Sequence, residues 1–209
     1  MNPGYLSYVA FTLAFILIAF GFKSYAIGHG SPTAAMLFFV GWIAAVAFHW
    51  TASSGASGTF AYIPLLALAF CALRRVRPLV DAVSALSYGL LLGAVVALVQ
   101  LLEAIDPLVI LLHPLADPVL LLVALVVGYS VRNARLQIGV VSVAWIVSDL
   151  YTELMYMERH AASFGGRAFQ DAWWMTVFGV RLCAECIRAA SALRVGRLGR
   201  LLGLLRPRR

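Results

Sequence analysis

The chain alternates between long apolar runs and short polar segments, and the apolar runs predict membrane-spanning helices. Seven runs are close to the length of about 20 residues that a helix needs to cross the hydrocarbon core of a bilayer. They cover about residues 5–22, 33–50, 60–73, 79–102, 118–131, 136–157 and 172–190. Glycine, serine, proline and arginine separate them, as in the linker TASSGASGT after the second run. The pattern therefore predicts an all-α transmembrane bundle of seven spans in one domain.

Two segments between and after these runs do not fit a crossing helix. Residues 103–117, EAIDPLVILLHPLAD, are too short to cross and contain two prolines, so we expect a hairpin that dips into the interface. Residues 191–209 are rich in arginine and predict a basic cytoplasmic tail. Trp173 and Trp174 open the seventh run and are expected to anchor it at the membrane interface. The first run lacks a basic flank and a cleavage site, so it is expected to be a retained helix.

Composition and charge support this interpretation and add an orientation. The chain is 63% hydrophobic and 12% charged, with a mean hydropathy of +0.92, which is typical of a protein whose solvent is mostly lipid. The net charge of +7 is not accompanied by a nucleic-acid recognition motif, so no nucleic-acid partner is predicted. With the N-terminus outside, 13 of the 16 basic residues fall in the inner loops and tail. The positive-inside rule therefore predicts a multi-pass protein of the cytoplasmic membrane with its C-terminus inside.

Ionisable residues within the apolar runs are the first candidates for function, because a charge in the membrane is costly and usually faces a partner or a water-filled cavity. Asp149 and Glu153 share one face of the sixth span, and Arg181 and Glu185 lie in the seventh. Asp149 lies about 12 Å and Arg181 about 13 Å below the outer surface at about 1.5 Å per residue. This matched depth predicts an ion pair that fixes the packing of the two helices; the alternative is the lining of an ion or proton route. Glu185 also has a local partner in Arg188, three residues on.

Other residue types indicate weaker candidates. Three histidines, His49, His113 and His160, are expected on the outer side near acidic residues, and imidazole and carboxylate are ligands for zinc. No HExxH or comparable spacing is present, so histidines that only hydrogen-bond at the interface are the alternative to a metal site. No cofactor is predicted. Three arginines of the tail are expected to contact anionic phospholipid at the cytoplasmic face; they are Arg194, Arg197 and Arg200.

Two short motifs match known chemistry only in part. The tetrapeptide Gly55-Ala56-Ser57-Gly58 has the GxSG pattern found around the nucleophile of rhomboid proteases. No later span carries a histidine within its membrane part to activate such a serine, so a flexible turn is favoured. Cys183 and Cys186 form CAEC in the middle of a predicted helix, where packing residues are favoured over a redox pair.

The second half of the chain resembles the YphA family of small bacterial polytopic membrane proteins. The resemblance rests on LEAIDPLVILL at residues 102–112, the basic VRNAR at 131–135, the helix that ends in Asp149 and Glu153, and SFGGRAFQDAWW at 163–174. It covers residues 80–171. It implies a protein of the inner membrane of an endospore-forming bacterium with a link to spore envelope formation, and it supplies neither an activity nor catalytic residues.

The leading interpretation is a non-enzymatic integral membrane protein that acts as a partner or assembly factor for another membrane protein. It rests on short loops and on the lack of any complete catalytic set in the sequence. The first alternative is a carrier for a small solute or ion that uses Asp149, Glu153, Arg181 and Glu185, and it predicts a polar cavity at the midplane. The second is a metal-dependent enzyme at the outer face, which requires the three histidines to converge. An assembly factor predicts a sealed helical core.

Overall fold

A computed structural model gives the fold and describes residues 3–21, 32–53, 55–105, 118–156 and 161–204. Within these ranges the chain is almost entirely helical, which confirms the predicted all-α class. The seven described helices are α1 (Tyr5–Ala19), α2 (Pro32–Ala47), α3 (Tyr62–Leu73), α4 (Leu79–Ile105), α5 (Pro118–Ser130), α6 (Ala134–Tyr156) and α7 (Arg167–Leu204). Three short strands, β1 (His49–Thr51), β2 (Ser57–Thr59) and β3 (Ser163–Phe164), form one sheet in that order.

Two helices, rather than the predicted seven, are long and apolar enough to cross a membrane among the described residues. They are 79–103 within α4 and 134–156, which is α6, with mean hydropathies of 2.2 and 1.4. The apolar helices α1, α2, α3 and α5 have 15, 16, 12 and 13 residues. They are shorter than the apolar runs that predict them because part of the sequence folds differently at the ends. His49 and Trp50, the last residues of the second run, form β1 instead.

The last helix is longer than the predicted span at both ends. α7 begins at Arg167 instead of 172 and continues to Leu204 through most of the predicted tail. No proline occurs between these residues, so every residue after the first turn can donate its backbone N–H within the helix. The hairpin predicted at 103–117 lies mostly outside the described residues, since α4 runs to Ile105 and residues 106–117 are not described.

Helix α6 lies at the centre of the bundle. Its residues from Gly139 to Ile146 are buried, and it packs against α3, α4 and α7. The contact with α4 is close because Gly89 and Gly93 of α4 lie against α6. A Cβ atom on Gly93 would lie 2.6 Å from the Ala144 carbonyl oxygen. This is the small-xxx-small spacing with which helices approach each other closely in membranes.

An aromatic cluster joins α2 to α7 and corrects the prediction for the two tryptophans. Trp173 and Trp174 are 1% and 4% exposed, so they lie in the core instead of at an interface. Trp42 of α2 stacks on Trp173 with 5.3 Å between ring centroids. α7 begins earlier than predicted, and this places both rings a full turn inside the helix.

The bundle has two chemically different ends. At the sheet end, where β1, β2 and β3 lie, the backbone N–H groups of Gly4 and Ser7 donate to the Asp171 carboxylate. This contact places the beginnings of α1 and α7 at the same end, so the two helices run in the same direction. The opposite end, here called the arginine end, is where α3 and α5 finish and α4 and α6 begin. Basic residues flank these termini; they are Arg74, Arg75, Arg77, Arg132 and Arg135.

Candidate functional site

Asp149 lies near the sheet end and joins three parts of the chain. Its carboxylate accepts a hydrogen bond from the Tyr62 hydroxyl of α3 and one of 2.9 Å from the backbone N–H of Gly165. The same N–H lies 3.1 Å from the Tyr62 oxygen. Gly165 has a φ of 61°, a left-handed conformation that a glycine adopts without steric cost. The carboxylate therefore fixes the connection between α6 and α7 against α6 and α3.

Other polar groups hold the same connection in place. Glu153, one turn beyond Asp149, accepts a hydrogen bond of 2.8 Å from the Ser163 backbone N–H. The Gly165 carbonyl accepts from the Thr59 hydroxyl at 2.7 Å and from the Gln170 amide at 3.0 Å. The parallel pairing of β2 with β3 adds backbone contacts between the segment that precedes α3 and the connection between α6 and α7. Four of the hydrogen bonds that hold the sheet end together therefore involve the backbone N–H or carbonyl of Gly165.

A cavity of about 550 Å³ lies beside this network at the sheet end. Its walls carry both carboxylates, Asp149 and Glu153, and two groups that can bear positive charge, His49 and Arg167. Ser57 is also in the wall. The cavity has the size of an ordinary small-molecule site and contains both signs of charge.

Arg181 and Glu185 lie far from this cavity, toward the arginine end. Arg181 is 7% exposed, and its guanidinium donates to the Gln137 side-chain oxygen at 2.8 Å and to Glu185 at 2.9 Å. Glu185 also accepts from Arg188, which confirms the predicted local contact. A buried arginine is held here by one carboxylate and one amide, an arrangement that compensates its loss of hydration.

The predicted ion pair between Asp149 and Arg181 is wrong. Arg181 lies level with Gln137 at the start of α6, whereas Asp149 is about three turns, or about 18 Å, farther along that helix. The predicted pair requires α7 to start at 172, but the helix begins at Arg167 and its connection folds back onto Asp149 through Gly165. The helix hairpin is therefore offset from the assumed register. The four residues proposed as one polar cluster form two separate sets.

Between these sets, the polar side chains of α6 bond to neighbouring helices. The indole N–H groups of Trp145 and Trp173 donate to Thr176 at 2.9 Å and to Ser142 at 3.2 Å. The Ser148 hydroxyl donates to Gln100 of α4 at 2.9 Å. Sequence reasoning missed these partners and Tyr62. Glutamines within an apolar run were the available signal, because a buried amide needs a partner.

The histidines give no support to a metal site. His49 begins β1 and lines the sheet-end cavity, while His113 and His160 lie outside the described residues. Within the described ranges there is no group of three histidine, cysteine or acidic side chains that could hold a metal ion. The convergence of the three histidines therefore stays a prediction. The predicted lipid contacts at Arg194, Arg197 and Arg200 also stay predictions, although all three belong to α7.

The two short motifs are local structures in the fold. In the GASG tetrapeptide, Gly55 has a φ of 85° and donates its backbone N–H to the Ala52 carbonyl at 3.0 Å, and the last two residues belong to β2. Ser57 follows in β2, and the structure places it in the same cavity as His49, a neighbour that the sequence did not indicate. No hydrogen bond joins their side chains, both of which are described. Cys183 is a free thiol that packs against Gly128 of α5.

Comparisons with family models, with curated proteins and with solved structures find no match. The resemblance to the YphA family and what it implies therefore stay predictions.

Proposed function

We propose that this chain is an integral protein of the bacterial cytoplasmic membrane that crosses the bilayer seven times. Large apolar side chains are exposed on every one of the seven described helices, and an exposed apolar surface of that extent needs lipid or another protein as its neighbour. The parallel directions of α1 and α7 fit an odd number of crossings. The shorter helices reach about 18 to 24 Å, and a bilayer accommodates such a mismatch by thinning locally.

The sheet end is the outer end in this proposal and the arginine end is the inner one. The support is the distribution of basic residues at the ends of α3 to α6, which follows the positive-inside rule. The arginines of α7 beyond Arg188 then lie at the cytoplasmic face, where Arg194, Arg197 and Arg200 contact anionic phospholipid.

Cysteine labelling tests this topology. In a chain without Cys71, Cys183 and Cys186, a single cysteine is introduced as Ser53→Cys at the sheet end or as Arg75→Cys at the arginine end; both positions are exposed. A membrane-impermeant maleimide should label the first variant in intact cells and the second only after the membrane is opened. Equal labelling of the two in intact cells, or release of the protein from membranes at alkaline pH, would refute the proposal.

Within the membrane, the protein acts as a non-enzymatic partner or assembly factor. The observation that carries this proposal is the pairing of polar core groups with each other. Trp145 bonds to Thr176, Trp173 to Ser142 and Ser148 to Gln100, so polarity in the middle of the bundle serves to lock helices together. In a carrier, such polar side chains would instead face a cavity and form hydrogen bonds with the solute. The separation of Asp149 from Arg181 also removes the continuous polar route that the carrier alternative proposes.

Native mass spectrometry of gently extracted protein tests this role. An additional protein subunit that persists with the chain is the expected result, and its mass identifies the partner. The chain on its own, together with solute uptake into proteoliposomes that is lost in Asp149→Asn, would favour a carrier. The link to spore envelope formation rests only on the resemblance to the YphA family, and it predicts a partner produced during sporulation.

A further inference from the structure

Two cavities meet at the sheet end and share two residues. The cavity of about 550 Å³ carries the two carboxylates. A second cavity of about 280 Å³ lies between α1 and α2, with apolar walls that include Phe11, Ile43 and Val46. His49 and Arg167 line both cavities. The two groups that can carry positive charge therefore lie at the boundary between an apolar space and an acidic one.

Contacts with the backbone hold Arg167 at this boundary. Its aliphatic stem packs on Gly4, where an added Cβ atom would lie only 3.0 Å from the Arg167 Cδ atom. Gly4 is fixed in turn because its N–H donates to Asp171 at 2.7 Å. The Arg167 guanidinium is exposed and forms no hydrogen bond or ion pair with any described residue. It presents planar, paired donors of the geometry that binds a phosphate.

The acidic side of the larger cavity also retains binding capacity. Glu153 accepts one hydrogen bond, from Ser163 to Oε2, and a carboxylate has about four acceptor sites. Its Oε1 atom accepts none from the described residues. Arg167 and Glu153 do not pair with each other although both line the cavity, so a ligand can lie between them.

We propose that the sheet end binds phosphatidylethanolamine from the outer leaflet. The acyl chain, phosphate and ammonium group of this lipid follow one another in the same order as the apolar, basic and acidic parts of the two cavities. An acyl chain occupies the space between α1 and α2, the phosphate lies at Arg167 and His49, and the ammonium group donates to Glu153. Tyr8 and Ile43, which are 64% and 57% exposed, leave the apolar cavity open toward the acyl chains. The inference rests on the proposed membrane topology, because only that topology places the sheet end at a lipid headgroup.

Competition between lipids with identical acyl chains tests the proposal. The full chain in detergent is supplied with equal amounts of phosphatidylethanolamine and phosphatidylglycerol, and native mass spectrometry measures the bound fraction of each. The wild type should prefer phosphatidylethanolamine by roughly tenfold, as a charge-assisted hydrogen bond to its ammonium group implies. Glu153→Gln should abolish this preference and still bind both lipids, since the glutamine oxygen can accept the Ser163 hydrogen bond.

Arg167→Gln should weaken the binding of both lipids roughly tenfold through loss of the phosphate contact. The matched control is Arg132→Gln, an exposed arginine at the other end, which should bind lipid like the wild type. Val46→Phe narrows the apolar cavity without a change in charge and should reduce binding of both lipids, so the proposal can still be tested if one charge variant does not fold.

Equal binding of the two lipids by the wild type, or unchanged binding by Arg167→Gln, would overturn the lipid site. The labelling of Ser53→Cys and Arg75→Cys does not depend on any bound lipid. Loss of the lipid preference with labelling as expected would refute only this inference, whereas failure of the labelling pattern would refute the proposed topology.

Discussion

The hydrogen bond between the Tyr62 hydroxyl and Asp149 connects α3 to α6, and a double-mutant cycle measures what it contributes to stability. Tyr62→Phe removes the hydroxyl and keeps the ring, which lies 5.3 Å from that of Phe169 in an edge-to-face contact. Asp149→Asn removes the negative charge and keeps the shape of the side chain. Comparison of the two single variants with the double variant isolates the free energy of the interaction between them.

We expect a coupling of about 1 kcal/mol, because the amide oxygen introduced by Asp149→Asn can still accept from the Tyr62 hydroxyl, and the cycle therefore measures the difference between a charged and a neutral acceptor. The Gly165 N–H has contacts to both side chains, so each single variant still leaves it one acceptor. A second cycle pairs Asp149→Asn with Arg181→Gln. It should give no coupling beyond about 0.5 kcal/mol, because Arg181 lies level with Gln137, which is about 18 Å from Asp149 along the axis of α6.

Unfolding of each variant in one detergent, followed by tryptophan fluorescence, supplies the free energies. Tyr151→Phe is the matched control, since Tyr151 is a tyrosine of α6 that is 46% exposed and has no hydrogen bond to a described residue. It should change the free energy of unfolding by less than about 0.5 kcal/mol. A stronger coupling of Asp149 to Arg181 than to Tyr62 would contradict the pairing of Asp149 with Tyr62.

Two further predictions concern the packing of α6, and unfolding under the same conditions checks both. Gly93→Ala should destabilise the protein by about 1 to 3 kcal/mol, because the new methyl group meets the Ala144 carbonyl, whereas Gly41→Ala, with no atom within 4 Å, should be neutral or stabilising. Thr176→Val should cost about 1 to 3 kcal/mol because it leaves the buried Trp145 N–H without its acceptor. Unchanged stability in either variant would show that the contact has no energetic role.

The lengths and bounds of the apolar runs were enough to predict the helical class and the approximate place of each helix. Each of the seven described helices overlaps one of the seven apolar runs, because a long apolar run with no proline beyond the first turn of its helix favours a buried or lipid-facing helix over a loop. The local pairing of Glu185 with Arg188 was also predictable, since neighbours three apart on a helix are in contact whatever the rest of the fold does.

The partners of Asp149 and Arg181 were decided by tertiary structure. Their predicted pairing assumes that α7 begins at 172 and at the end of α6. The start at Arg167 shifts the register by about 7.5 Å, and the contact of Gly165 with Asp149 folds the connection farther back along α6, so that Arg181 lies level with Gln137. That start depends on the contacts of Gly165 with Thr59 and Tyr62, which lie 106 and 103 residues earlier and meet Gly165 only after the helices pack. No local pattern encodes the register of such a hairpin.

The candidate site shows the same division. The sequence alone determined that acids lie near the end of α6 and that His49 follows α2. Only the fold brings His49, Glu153 and Arg167 to neighbouring cavities. The sheet does this by pairing His49 of β1 with Thr59 of β2, and Ser57 of β2 with Ser163 of β3. Whether a segment forms an apolar helix depends mainly on the residues of that segment, so the sequence determines it directly. A site depends on distances between segments, and those exist only once long-range contacts have formed.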